Sequence, residues 1–125
     1  MPLRVLVVDD SEPNRRLAEV LVRRDGFDVA SVADGSTALA LLEAEPFDLV
    51  LLDAMMPRLD GPAIAREVRR REAASGLDPI PIVALTASIL PEDRARMLEA
   101  GMDDHLVKPL RAEDLAEVLG RPLNR

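Results

Sequence analysis

Short apolar runs rich in valine, isoleucine and leucine alternate along this chain with segments of helical periodicity, and four of those runs end in a reactive side chain. Leu3-Arg4-Val5-Leu6-Val7-Val8 leads into Asp9-Asp10, Leu49-Val50-Leu51-Leu52 into Asp53, Ile80-Pro81-Ile82-Val83-Ala84-Leu85 into Thr86, and His105-Leu106-Val107 into Lys108-Pro109. Runs of this kind, bounded by turn residues, read as strands buried on both faces of a parallel sheet. Ligands of open α/β sheets bind just beyond the carboxyl ends of the strands. The sequence therefore places three carboxylates, a hydroxyl and an ammonium along one edge of one sheet.

The intervening segments complete five βα units. Residues 4 to 8 feed a helix from Pro13 to Arg24, with Leu17, Val20 and Leu21 at helical spacing and Gly26 as its stop. Phe27 to Val32 alternates as a second strand. Asp34-Gly35-Ser36 caps a helix that carries Leu39 and Leu42 and ends before Pro46. Leu49 to Leu52 is the third strand. Gly61-Pro62 opens the next helix, with Ile64, Ala65 and Val68 facing inward, and Ala73 to Pro79 reads as a loop. Ile82 to Leu85 is the fourth strand, and Pro91-Glu92-Asp93 starts a helix that Gly101 ends. Asp104 to Val107 forms the fifth strand. Glu113-Asp114 begin a short last helix with Leu115, Val118 and Leu119 apolar, closed by Gly120. Short connections imply right-handed crossovers and a three-layer α/β sandwich. The order of the strands does not follow from periodicity.

The 125 residues suit one domain, 1–125, with one core, and no repeat or linker divides them. With no apolar stretch long enough to span a bilayer and no leader pattern at Met1-Pro2-Leu3-Arg4, cytoplasmic residence is expected. Cysteine is absent, which excludes disulfides, thiolate nucleophiles and cysteine-based zinc sites. A net charge of −7 argues against direct contact with nucleic acid. The Arg69-Arg70-Arg71 cluster reads as a solvated helix face among acids. Of 16 basic residues only Lys108 is lysine, and it stands at a strand end, where a compact point charge on a flexible stem has a use that arginine does not match.

Asp9, Asp10 and Asp53 crowd like charges together, so one must hold a proton or a cation must intervene. A hard divalent ion is held by one or two carboxylates, a carbonyl and water. An aspartate carboxylate can be the nucleophile that takes a phosphoryl group, and such a transfer needs little beyond positioning and charge stabilisation. Lys108 can supply positive charge and Thr86 a hydroxyl donor. Each piece alone has a bland reading as a cap or a surface charge; the four in this order, each at a run's carboxyl end, do not.

The set resembles the receiver domain of two-component response regulators. The stretches that carry the resemblance are Val7-Val8-Asp9-Asp10, Leu51-Leu52-Asp53-Ala54-Met55-Met56-Pro57-Arg58-Leu59-Asp60-Gly61, Ala84-Leu85-Thr86-Ala87 and Gly101-Met102-Asp103-Asp104-His105-Leu106-Val107-Lys108-Pro109. The resemblance implies a (βα)5 flavodoxin-like fold with a parallel five-stranded sheet in the order 2-1-3-4-5. It implies Asp53 as phosphoacceptor, and Asp9, Asp10, Asp53 and the Met55 carbonyl as the site of Mg²⁺ or Mn²⁺. It also implies Thr86 as the hydroxyl that turns toward the phosphate, Lys108 as its ionic partner and Pro109 as a cis proline that aims the lysine. The expected role is that of a phosphoacceptor module rather than an enzyme, with self-phosphorylation from a donor and slow self-dephosphorylation only.

Three features depart from the family's common pattern. His105 takes the switch position usually held by tyrosine or phenylalanine, and reads either as a ring that swings inward with Thr86 or as an ordinary half-buried strand residue. Met55 and Ser88 take the positions that flank the hydrolytic water; neither a thioether nor a small hydroxyl orients water as a carboxylate or amide does, so slow dephosphorylation is expected. The last helix is short.

Expected partners are a sensor histidine kinase or a histidine phosphotransfer protein, docking near the first helix at Asn14, Leu17, Ala18 and Leu21, where Leu17 and Leu21 read equally as core. A downstream target is expected on the face of the fourth helix, fifth strand and last helix. The chain is expected to be a monomer or weak dimer. It reads as a stand-alone receiver, a relay intermediate or a receiver excised from a larger protein, with Ala84 to Pro109 resembling receivers of hybrid sensor kinases. Two rival classes are a Mg²⁺-dependent aspartate-nucleophile phosphatase, which would carry a DxD motif where this chain has Asp9-Asp10-Ser11, and a non-phosphorylated pseudo-receiver binding module, which would have lost the acceptor or the lysine. A nucleotide-binding module is disfavoured because Ser11-Glu12-Pro13-Asn14 is not a glycine-rich phosphate loop.

Overall fold

The computed structural model describes residues 3–88 and 90–120. Strands β1 (Arg4–Val8), β2 (Asp28–Val32), β3 (Leu49–Asp53), β4 (Ile82–Thr86) and β5 (Asp104–Val107) alternate with helices α1 (Glu12–Arg24), α2 (Gly35–Ala44), α3 (Gly61–Ser75), α4 (Pro91–Glu99) and α5 (Ala112–Leu119). The strands form one parallel sheet in the order β2-β1-β3-β4-β5. This is the expected three-layer α/β fold.

Two cores follow from the period-2 geometry of the strands. Val5 and Val7, Leu49 and Leu51, and Val83 and Leu85 pack with Leu106 against α1 and α5, which contribute Ala18, Leu21, Val22, Leu115, Val118 and Leu119. Leu6 and Val8, Val50 and Leu52, and Ile82 and Ala84 pack against Ala38 of α2, Ile64, Ala65 and Val68 of α3, and Met97 of α4. Burial on both faces is why the central strands read as unbroken apolar runs. Each fully buried leucine or isoleucine contributes about 1.5–3 kcal/mol.

Local chemistry sets the helix ends. Ser11, Asp34 and Asp60 occupy the N-caps of α1, α2 and α3 and accept the N–H groups of Asn14, Thr37 and Ala63. The structure corrects the expected loop from Ala73: α3 continues through Ser75 and stops at Gly76, which takes the left-handed conformation at φ 68°. It also corrects the phase of α1. Ala18, Leu21 and Val22 face the sheet, whereas Leu17 and Val20 are exposed.

At the amino end of the sheet, Arg69 of α3 joins three elements. Its Nε donates to the Gly101 carbonyl at 2.9 Å, and its two terminal nitrogens meet Glu72 at 2.8 Å and Asp103 at 2.9 Å. Those carboxylates in turn accept the N–H groups of Ile80 at 2.7 Å and Ile82 at 2.8 Å. The clasp fixes the start of β4 and the α4–β5 turn against α3.

Candidate phosphoacceptor site

Asp9 follows the last residue of β1, Asp53 ends β3, Thr86 ends β4 and Lys108 follows β5. The pairing that aligns them continues past the strands: Lys108 N–H donates to the Thr86 carbonyl at 2.8 Å, Ala54 N–H to the Leu85 carbonyl at 2.9 Å, and Asp9 N–H to the Val32 carbonyl at 3.1 Å. Asp9, Asp53 and Thr86 are buried at 0%, 3% and 3% exposure, a setting in which charge is costly unless paired. Asp10 is exposed.

One ammonium serves two buried carboxylates. Lys108 Nζ lies 3.0 Å from Asp53 Oδ1 and 3.2 Å from Asp9 Oδ2. Asp53 Oδ1 also accepts the Met55 N–H at 3.1 Å, and Asp9 Oδ1 accepts the Ser11 N–H at 2.9 Å. Asp9 Oδ2 is buried and, although its charge is met by Lys108 at ion-pair distance, no donor addresses it in hydrogen-bond geometry. Burial pushes the Asp53 carboxyl above its ordinary range and the Asp9 charge adds to the rise; the Met55 N–H and Lys108 pull the other way without cancelling it. Burial pulls Lys108 down, yet its bonds and attractions to Asp53 and Asp9 outweigh that and hold it above the ordinary lysine range. A simple ion pair would lower its acid. Here burial outweighs the pairing and Asp53 rises as well, while the site still sets two buried carboxylates against one ammonium.

That excess suits a hard cation. Carboxylate oxygens of Asp9, Asp10 and Asp53 lie within 4.8 Å of one another, and one of the buried ones is an acceptor without a hydrogen bond. An all-oxygen set of this kind fits Mg²⁺ or Mn²⁺.

Thr86 is tied into the loop after β4. Its Oγ1 accepts the Ser88 N–H at 3.0 Å and donates to the Ser88 carbonyl at 3.3 Å. The Ser88 hydroxyl donates to Asp93 in the first turn of α4 at 2.5 Å. The Met55 side chain is 72% exposed. His105 is half-buried beside Ala84 in the sheet, one step back from the Thr86–Val107 pair on the same face. His105 is among the residues lining a cavity of about 240 Å³ between β5 and α5, with Val107, Asp114 and Val118. The Lys108–Pro109 peptide bond is cis. A separate cavity of about 780 Å³ between α2 and α3, around Leu42, Phe47 and Val68, contains none of these side chains.

Residues 5–120 match the response regulator receiver domain family. The chain belongs to that family. This receiver domain is 40% identical over 116 residues to the sensor histidine kinase GacS of Pseudomonas protegens, a match covering 93% of this chain and 13% of that protein. It is 41% identical over 115 residues to the response regulator MprA of Mycolicibacterium vanbaalenii, covering 92% of this chain and 48% of that protein. The chain thus spans less than half the length of either relative. Among solved structures, the receiver domain of sensor histidine kinase PA1611 from Pseudomonas aeruginosa, which has a magnesium ion coordinated in its active site cleft, superposes with a TM-score of 0.86 at 36% identity, covering 98% of both chains. A co-crystal of the Saccharomyces cerevisiae histidine phosphotransfer protein Ypd1 with the receiver domain of Ssk1 gives a TM-score of 0.88 at 27% identity, covering 94% of this chain and 86% of that one. No helix among the described residues is long and apolar enough to cross a membrane.

Sequence reasoning missed three participants. Arg15 donates to the Asp9 carbonyl at 2.9 Å, Asp93 holds Ser88, and the Ser11 N–H orients Asp9. Nothing in the spacing separates Arg15 from its neighbour Arg16, and Asp93 reads from sequence only as an acid favouring a helix start.

Proposed function

We propose that this receiver domain, acting as one unit over residues 1–125, takes a phosphoryl group onto Asp53 from a phosphohistidine donor. The observation that carries the proposal is Asp53 itself: buried, 3.0 Å from an ammonium, and within one cation's reach of Asp9 and Asp10. In the transfer an Asp53 carboxylate oxygen bonds to phosphorus, the phosphorus–nitrogen bond of the donor breaks, and the electron pair stays with the departing imidazole. Asp9, Asp10, Asp53 and the Met55 carbonyl would hold Mg²⁺ or Mn²⁺, which when bound supplies positive charge against the phosphoryl oxygens. Lys108 balances charge on the acyl phosphate. Thr86 exchanges its Ser88 contacts for a phosphate oxygen, and His105 follows toward the space Thr86 leaves. Pro109 aims Lys108.

The donor is a sensor histidine kinase or a histidine phosphotransfer protein, in line with the GacS and PA1611 relatives and with the Ypd1–Ssk1 neighbour. The same relatives favour a relay role. The α4–β5–α5 face serves a downstream protein, and the domain works as a monomer or weak dimer in the cytoplasm, without direct nucleic acid or membrane contact. Because Ser88 is engaged by Asp93 and Met55 projects outward, neither orients a hydrolytic water, and the phosphorylated form decays slowly.

The test is incubation with Mg²⁺ and phosphoramidate, followed by intact mass. One added phosphate on the wild type and none on Asp53→Asn is expected. No adduct, or an equal adduct on the variant, overturns the proposal. Steady phosphate release from small monoesters would favour a phosphatase instead, and loss of the label within seconds would refute slow decay.

A further inference from the structure

Arg15 behaves unlike the arginines around it. Exposed Arg16 and Arg23 face Glu12 and the half-buried Glu19 one turn away at 3.8 Å. Arg15 is half-buried and forms no ion pair with a described residue. Its Nη1 instead donates to the backbone carbonyl of Asp9 at 2.9 Å.

That carbonyl belongs to the peptide joining Asp9 to Asp10. The peptide unit is planar, so fixing its oxygen fixes the ψ of Asp9 and the φ of Asp10 together. The Asp9 side chain is fixed separately by the Ser11 N–H, which leaves its buried Oδ2 turned to the site. Asp10 has no such side-chain anchor: its carboxylate is exposed and meets no described partner, so the backbone sets where its Cα–Cβ bond points and therefore which space its carboxylate can reach. A charged donor gives a stronger hold on a carbonyl than a neutral one.

We infer that Arg15 is a positioning residue for a divalent cation at Asp9, Asp10 and Asp53, placing Asp10 relative to the anchored Asp9 carboxylate through the peptide between them. The inference rests on the cation-site reading given under Proposed function. It places the effect of Arg15 in metal affinity and not in the transfer rate of the metal-saturated protein.

Because the chain has no tryptophan or tyrosine, affinity is read by calorimetric titration with Mn²⁺. Arg15→Met is expected to bind Mn²⁺ about tenfold more weakly, the size typical when a partner that orients a metal ligand is removed. Arg15→Lys, which retains one charged donor, should stay within about threefold of wild type, and Arg16→Met should match it. In phosphorylation by phosphoramidate, Arg15→Met should need about tenfold more Mg²⁺ for half-maximal rate and reach the wild-type maximum. Without metal, amide exchange at Asp10 and Ser11 should quicken in Arg15→Met alone. Wild-type Mn²⁺ affinity in Arg15→Met, or a maximal rate that added Mg²⁺ does not restore, overturns the inference. If Arg15→Met does not fold, Arg15→Gln, a shorter neutral donor, carries the same expectations and the same refutation. A wild type that neither binds Mn²⁺ nor accepts phosphate would instead fail the underlying reading of the site.

Discussion

Gly61, the first residue of α3, sits directly against the backbone at the end of β3, which carries Asp53. A Cβ on Gly61 would lie 2.5 Å from the Asp53 carbonyl oxygen and 2.8 Å from the Ala54 Cα, closer than real Cβ atoms approach. Both obstacles are backbone, so no side-chain rotation relieves them. Restoring ordinary contact requires a relative shift of about 1 Å between α3 and the end of β3. Gly61→Ala should therefore cost about 1–3 kcal/mol from overpacking, offset by about 0.5–1 kcal/mol of helix preference for alanine. The net loss is about 1–2 kcal/mol by urea denaturation. The shift falls on the peptide that carries Asp53, and misplacement of reacting groups by about 1 Å costs about 100-fold in rate. Phosphoramidate labelling at saturating Mg²⁺ should show that loss. Gly26→Ala is the control: its position is open but its φ is +89°, so it should cost about 1–2 kcal/mol with an unchanged labelling rate. A Gly61→Ala protein with wild-type stability and labelling would refute the packing argument.

Three further outcomes follow from the same geometry. Lys108→Met removes the ammonium from two buried carboxylates and should lower metal-free stability by about 2 kcal/mol, below the roughly 3–5 kcal/mol of a fully buried pair because the lysine is 23% exposed; Mg²⁺ should restore part of it, and a metal-free variant as stable as wild type in urea would count against the pairing. Leu115→Ala empties a fully buried position under α5 and should cost about 2–5 kcal/mol, seen as a lower urea midpoint at constant slope. The hydrogen bonds of Arg70 and Arg71 hold the Glu67 carboxyl down from 4.5 to about 2. Its stabilisation is therefore complete above pH 4.5 and is lost as pH falls toward 2, so wild type and Glu67→Gln should converge in thermal midpoint across that window and differ above it.

The strands and the residues at their ends were legible because parallel strands buried on both faces leave an unbroken apolar signature, and Asp53, Thr86 and Lys108 interrupt it abruptly. The burial of α1 was not. Leu17, Val20 and Leu21 form one plausible stripe and Ala18, Leu21 and Val22 another, and only contact with β1 and α5 decides between them. The extent of α3 is not marked by periodicity, because Ala73-Ala74-Ser75 carry no large apolar residue to continue the stripe, although alanine favours helix and Gly76 gives the natural stop. Side-chain reach across the chain, such as Arg69 to Gly101 or Arg15 to Asp9, leaves no periodic trace at all.

The lysine of this site comes from the last of the five strands, and β5 touches the sheet only through β4. A chain emerging from the ribosome therefore has Asp53 long before it has the charge that balances it. Until the final βα unit docks, Asp9 and Asp53 share a pocket with no ammonium, and carboxylates so placed resist desolvation. On the proposed function, a molecule whose last βα unit has not docked lacks the ammonium that balances Asp53 and is expected to take phosphate poorly.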